Sequence, residues 1–231
     1  MKLKIQLVIL GIVFLLSSYL IYTYVDSDTQ NIITNEEVQF KEEYESLNGV
    51  YNEKTGHYYT NMQILENSNV EYKNVEEVIE FLDNGTGIIY FGFPECPWCR
   101  NIVPLLVDTT SEYGVSFYYY NAYEIRDTKH LDENGNIITD KQGTEEYYKI
   151  VSLLGNYASN YQGLNNDNIK RLYFPTIVFV KNGEIISFHE GTIDSQTNPF
   201  VELSDKEKND IKTILANGIV KTYDMVCDEN C

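Results

Sequence analysis

The chain is expected to fold as an α/β domain with a mixed sheet flanked by helices. Three observations predict this. Residues 87–93 (GIIYFGF) form a short apolar run without polar alternation, as a central strand covered on both faces requires. Helical periodicity begins directly after it at Pro97, and a strand–turn–strand pattern follows from Thr176 through Asn182-Gly183 to Phe188. The order strand, helix, strand, helices, hairpin, helix fits a small α/β domain.

Val75, Val78, Ile79 and Leu82 share one helical face; Asn74, with Glu77 three residues on, can cap its start, and Gly85 closes it. From 97 to 113 the residues Trp98, Ile102, Val103, Leu105, Leu106 and Tyr113 recur at helical spacing, and Gly114 ends the pattern. Pro97 suits a first helical position, whereas Pro104 is expected to kink the helix. Residues 115–120 read as a second strand. Asn134-Gly135 marks a hairpin turn, and Tyr147, Ile150, Val151 and Leu154 lie on one face of a helix from Thr144, so 124–170 read as a helical insertion. Ser204 and Glu207 form a capping box for a final helix carrying Ile211, Ile214 and Leu215. Residues 26–74 are polar, with turn signals at Asn48-Gly49 and Thr55-Gly56, and read as a linker and irregular extension. The main domain is thus expected over 75–216, with a polar tail over 217–231.

Of the 231 residues, 43% are apolar and 23% charged, the balance of a folded globular protein. The net charge of -18, which Lys2 and Lys4 at the N-terminus barely offset, would repel a polyanion, so no nucleic acid partner is expected. The acidity reads otherwise as a solvated surface. Residues 5–25 contain no charge and are long enough to cross a hydrocarbon layer of about 30 Å as a helix. With Lys2 and Lys4 before it and Asp26 and Asp28 after it, residues 1–25 read as a transmembrane signal-anchor, N-terminus in the cytoplasm and the remainder outside, at a bacterial cell surface. The alternative is a cleaved signal peptide, although no A-x-A-like site follows the apolar run.

The four cysteines, Cys96, Cys99, Cys227 and Cys231, form two close pairs, which fits an oxidising compartment. A C-x-x-C pair after a buried strand and at the opening of a helix has a physical logic. Unsatisfied amides and the positive helix end stabilise a thiolate at Cys96, and Cys99 sits one turn on, close enough to close a disulfide. Cys96 is therefore the expected nucleophile and Cys99 the resolving thiol. Two alternatives are a permanent structural disulfide and a zinc site formed with Cys227 and Cys231; Arg100, in place of a turn-forming Gly, argues against the second. Cys227 and Cys231 read as a local disulfide, or as a relay exchanging with Cys96. His57, His130 and His189 lack metal-ligand spacing, and Asp132, Glu133, Asn134 and Asn136 read as a plain turn rather than a calcium loop. No metal and no cofactor are expected.

The run GIIYFGF before Cys96-Pro97-Trp98-Cys99, Pro104 five residues after the second Cys, the stretch FPTIVFVKNGEII and Gly191 together resemble the thioredoxin superfamily, over about 75–123 and 171–216. The nearest likeness is to membrane-anchored thioredoxin-like proteins of Gram-positive bacteria, including the bacteriocin accessory type. The resemblance implies that Pro175 follows a cis peptide bond and faces the cysteines, with Trp98, Phe174 and Thr176 completing a substrate-binding surface. It implies disulfide exchange with protein substrates and an upstream redox partner, or, alternatively, a non-catalytic accessory that holds a secreted peptide or protein. Two positions depart from the family: Tyr90 stands where a buried acid is usual, and Glu95 where Trp usually precedes the nucleophile. A carboxylate at Glu95 would oppose thiolate formation at Cys96 unless it points into water.

Overall fold

A computed structural model describes residues 35–225 of the chain. The expected membrane anchor over 1–25 and the pair Cys227 and Cys231 lie outside the described residues. Among those described, no helix is long and apolar enough to cross a membrane.

The fold is a mixed α/β arrangement on a five-stranded mixed sheet. In chain order the main elements are α1 (Asn35–Glu45), β1 (Tyr51–Asn52), β2 (His57–Tyr58), β3 (Val70–Tyr72), α2 (Val75–Asn84), β4 (Gly87–Phe91), α3 (Pro97–Glu112) and β5 (Phe117–Tyr120). They continue with β6 (Thr128–Leu131), β7 (Ile137–Lys141), α4 (Glu145–Leu154), β8 (Ser159–Asn160), β9 (Lys170–Arg171), β10 (Thr176–Lys181), β11 (Glu184–Glu190) and α5 (Asp205–Tyr223). The sheet order is β11-β10-β4-β5-β3, with β4 parallel to β5 and antiparallel to β10.

The apolar run at 87–93 becomes central β4, every residue of which is buried. The expected capping boxes form at Asn74 with Glu77 and at Ser204 with Glu207, each satisfying two otherwise orphaned amides. Pro97 opens α3, which continues through Pro104 to Glu112. Successive strand residues point to opposite faces, so the sheet sorts its helices by alternate side chains. Tyr118 meets Phe81 of α2 on one face, and Tyr119 meets Phe40 of α1 and Tyr90 on the other. On the face of Tyr90, Phe179 lies against Gly218 of α5, where a Cβ would come within 2.6 Å of its ring. The β10–β11 turn is equally tight: Gly183 has φ +76 and leaves a Cβ only 2.0 Å from the Asp83 carbonyl oxygen.

Three expectations are corrected. Residues 35–74 are not a linker: α1 buries Phe40 and Tyr44 completely, and β3 adds an edge strand parallel to β5, so the folded unit begins well before 75. The third buried position on the inner face of α1 is Glu37, whose carboxylate accepts the Asn69 amide at 2.7 Å, which explains why apolar periodicity does not reveal the helix. The expected hairpin turn at Asn134-Gly135 forms, between β6 and β7, and β8 pairs with β9, so the insertion holds strands beside its helix. The last helix extends past 216 to Tyr223, burying Ile219 and Thr222, while Ile214 is 36% exposed rather than in the core.

Candidate active site

The antiparallel register of β4 and β10 sets Phe91 opposite Thr176, so the chain leaving β4 toward Cys96 passes the residues entering β10. The peptide bond between Phe174 and Pro175 is cis, as the resemblance implied, and the Cys96 thiol donates to the Phe174 carbonyl across 3.7 Å. Sulfur and proline loop, 78 residues apart in sequence, thus share one site. The Gly191 amide donates to the Pro175 carbonyl at 2.8 Å, tying that loop to the end of β11.

Cys96 is the N-cap of α3, and its sulfur accepts the Cys99 backbone amide at 3.3 Å. A sulfur at this position meets orphaned amides and the positive end of a 16-residue helix. Burial pushes the Cys96 thiol up, but hydrogen bonds from the Cys99 thiol and from the Cys99 and Trp98 amides, with the charge of Arg126, outweigh it and hold Cys96 below the usual thiol range. Cys99, fully buried, goes the other way: burial and then the neighbouring Cys96 drive it well above that range, only partly offset by the Tyr90 hydroxyl and the Phe93 amide. Environment therefore splits two identical side chains into one that ionises more readily, 5% exposed, and one held as the thiol, 0% exposed. Glu95 is exposed and points into water, the condition under which its charge leaves Cys96 undisturbed.

Trp98 is half-buried and, with Phe174, borders a cleft of about 650 Å³ that also takes in Tyr173, His189, Gly191 and Gln196. Thr176 does not join this surface: it is fully buried, and its hydroxyl donates to the Tyr173 carbonyl at 2.8 Å. Of the residues the resemblance implied, Trp98 and Phe174 border this cleft.

No family model matches the chain, and no curated protein is similar to it.

Three functional neighbours escape sequence reasoning. Arg126, in the loop before β6, lies 4.7 Å from the Phe174 ring centroid and 5.4 Å from that of Tyr123, giving the acidic protein a local cation beside Cys96. No motif marks it. Arg100 lies one residue beyond Cys99, 2% exposed, and Tyr44 reaches the site from α1; the i, i+4 spacing of Phe40 and Tyr44 is the one hint of the latter. Replacing Arg126 by Ala removes a positive charge from the thiolate, so the Cys96 titration moves to higher pH. Alkylation rate against pH measures this; a curve that does not move contradicts the assignment.

Proposed function

We propose that this chain is a thiol-disulfide oxidoreductase of the thioredoxin-like kind, held outside the cytoplasm by residues 1–25, exchanging disulfides with protein substrates through Cys96 and Cys99. The observation that carries this reading is the asymmetric pair: an acidified sulfur capping a helix, 3.7 Å from the carbonyl of a cis X-Pro peptide, with a protonated thiol one turn behind. A purely structural disulfide has no use for an acidified, near-surface sulfur.

In the reducing direction, the Cys96 thiolate attacks a substrate sulfur, and one substrate thiolate leaves and takes a proton. Cys99 then attacks the Cys96 sulfur of the mixed disulfide, releasing the second substrate thiol and leaving the Cys96–Cys99 disulfide. The oxidising direction is the same sequence reversed. The Cys96 sulfur lies against the Phe174 carbonyl, and Phe174 and Trp98 border the cleft at which an extended polypeptide would present a cysteine.

Capture tests the proposal. Cys99→Ser in the expressed full-length chain stops the cycle at the mixed disulfide, so disulfide-linked adducts that a reductant releases should accumulate on Cys96. A complete absence of adducts, with Cys96 still alkylatable, would favour the accessory reading, in which the cleft holds a peptide without turnover.

A further inference from the structure

Any use of Cys99 as a nucleophile meets a physical obstacle. Its sulfur is fully buried, and burial opposes its deprotonation even in the mixed disulfide, where Cys96 carries no charge. The groups that act on it most strongly are Cys96, Tyr90 and the Phe93 amide, none of them a carboxylate. A second buried acid here would add a further like charge.

The residue in place is Tyr90, on β4, whose hydroxyl is hydrogen-bonded to the Cys99 thiol and lies 2.8 Å from the hydroxyl of Tyr44 on α1. Both tyrosines are completely buried. Their positions are closely held. The Tyr90 ring stacks on Tyr119 at 5.6 Å, and that of Tyr44 meets Phe40 at 4.9 Å. The tip of Tyr90 fills the space that a side chain at Gly92 would need, since a Cβ there would lie 1.9 Å from the hydroxyl oxygen. The Arg100 guanidinium, next in sequence to Cys99, donates to the Tyr44 carbonyl at 2.7 Å and so fixes α1 against α3 beside the thiol.

We propose that Tyr90 and Tyr44 form a reversible hydrogen-bond relay that stabilises Cys99 as it attacks, making α1 a working part of the redox centre. The proposal rests on the reading of Cys96 and Cys99 as an exchange pair. Each hydroxyl both donates and accepts. With Cys99 as thiol, its proton points toward the Cys96 sulfur and that of Tyr90 to Tyr44. As the sulfur becomes negative the chain reverses: Tyr44 donates to Tyr90 and Tyr90 to sulfur, now through a charge-assisted bond polarised by the one behind it. Only two hydroxyl rotors turn, and no buried charge is needed. In the step assisted, a bond forms between the Cys99 and Cys96 sulfurs and the bond from Cys96 to the substrate sulfur breaks. The electron pair leaves on the substrate sulfur, and the proton lost by Cys99 ends on that departing thiolate.

The test uses the full-length reduced chain, with Cys227 and Cys231 replaced by Ser, in mild detergent and an aromatic disulfide that releases a coloured thiolate, 5,5′-dithiobis(2-nitrobenzoate), in single turnover. Release comes in two phases, attack by Cys96 and then resolution by Cys99. Tyr90→Phe should leave the first phase within about twofold and slow the second about tenfold, the size expected for one hydrogen bond to a charged group. Its second phase should also need higher pH, the other titratable groups facing the relay, Cys96 from α3 and Tyr119 from β5, being unchanged. Tyr44→Phe should slow the second phase about threefold, and the double variant should match Tyr90→Phe, because Tyr44 acts only through Tyr90. A normal first phase shows that each variant folds. An unchanged second phase and pH profile in Tyr90→Phe would overturn the relay alone, whereas a wild-type chain that releases nothing would overturn the exchange reading beneath it.

Discussion

Cys96→Ser abolishes disulfide exchange, lowering the rate by more than about 10³-fold, while leaving the fold intact. The chemistry requires the loss, because a hydroxyl at this position stays protonated and is no nucleophile toward sulfur at neutral pH, whereas the Cys96 thiol is held below its ordinary range by amides, the Cys99 thiol and Arg126. The preserved fold follows from the cap. Cys96 occupies the N-cap of α3 and accepts the Cys99 amide, a task that a serine hydroxyl performs at least as well. Thermal unfolding of the reduced chain at or above the wild-type midpoint, beside an exchange rate at background, is the expected combination. Retained exchange in Cys96→Ser would remove the nucleophile from the mechanism.

Arg100→Ala carries the largest expected cost in stability, about 3 kcal/mol in denaturant unfolding. The guanidinium is buried without a carboxylate among its hydrogen-bond acceptors; it donates to the carbonyls of Tyr44 at 2.7 Å, Thr60 at 2.8 and 3.1 Å and Pro94 at 3.4 Å, and to the Asn48 side chain at 2.7 Å. A planar fork with five N–H groups reaches segments that otherwise share little, joining α1 and residues 48–60 to α3. Removing it leaves buried carbonyls without donors. Lysine presents a single charged point on a different geometry, so Arg100→Lys should recover less than half of the loss. Hydrogen exchange should quicken first in α1, which the clamp holds beside Cys99. A variant within about 0.5 kcal/mol of wild type would mean that the extension is held by apolar packing alone.

Much of this architecture is legible in the amino-acid sequence. Capping boxes, a strand apolar on both faces, Pro97 at a first helical position and Asn-Gly turns are local signals, and each fixes its element through interactions within a few residues. The asymmetry of Cys96 and Cys99 is half legible: the helix start is local, but Arg126 arrives from a loop some 30 residues on. Helix α1 shows the opposite limit. Its inner face is Glu37, Phe40 and Tyr44, with the acid hydrogen-bonded to Asn69, so a polar residue takes a core position because its partner comes from a distant segment. Thr176 is buried away from the cleft for a related reason. The strand it begins lies inside the sheet, and its hydroxyl is engaged by the chain just before it. Tyr90 reads from sequence as a missing acid; only the approach of Tyr44 shows a second polar group behind it.

The central claim is that Cys96 and Cys99 form one reversible two-electron couple. Trp98, the only tryptophan in the chain, sits between the two cysteines in sequence and provides the readout. The full-length chain, with Cys227 and Cys231 replaced by Ser, is equilibrated across thiol-disulfide buffers of graded potential. The account predicts that Trp98 emission and the count of alkylatable thiols follow a single two-electron curve, a tenfold change in ratio for about every 30 mV, reversible from either end. Emission that stays flat while both thiols remain alkylatable at every potential would contradict it.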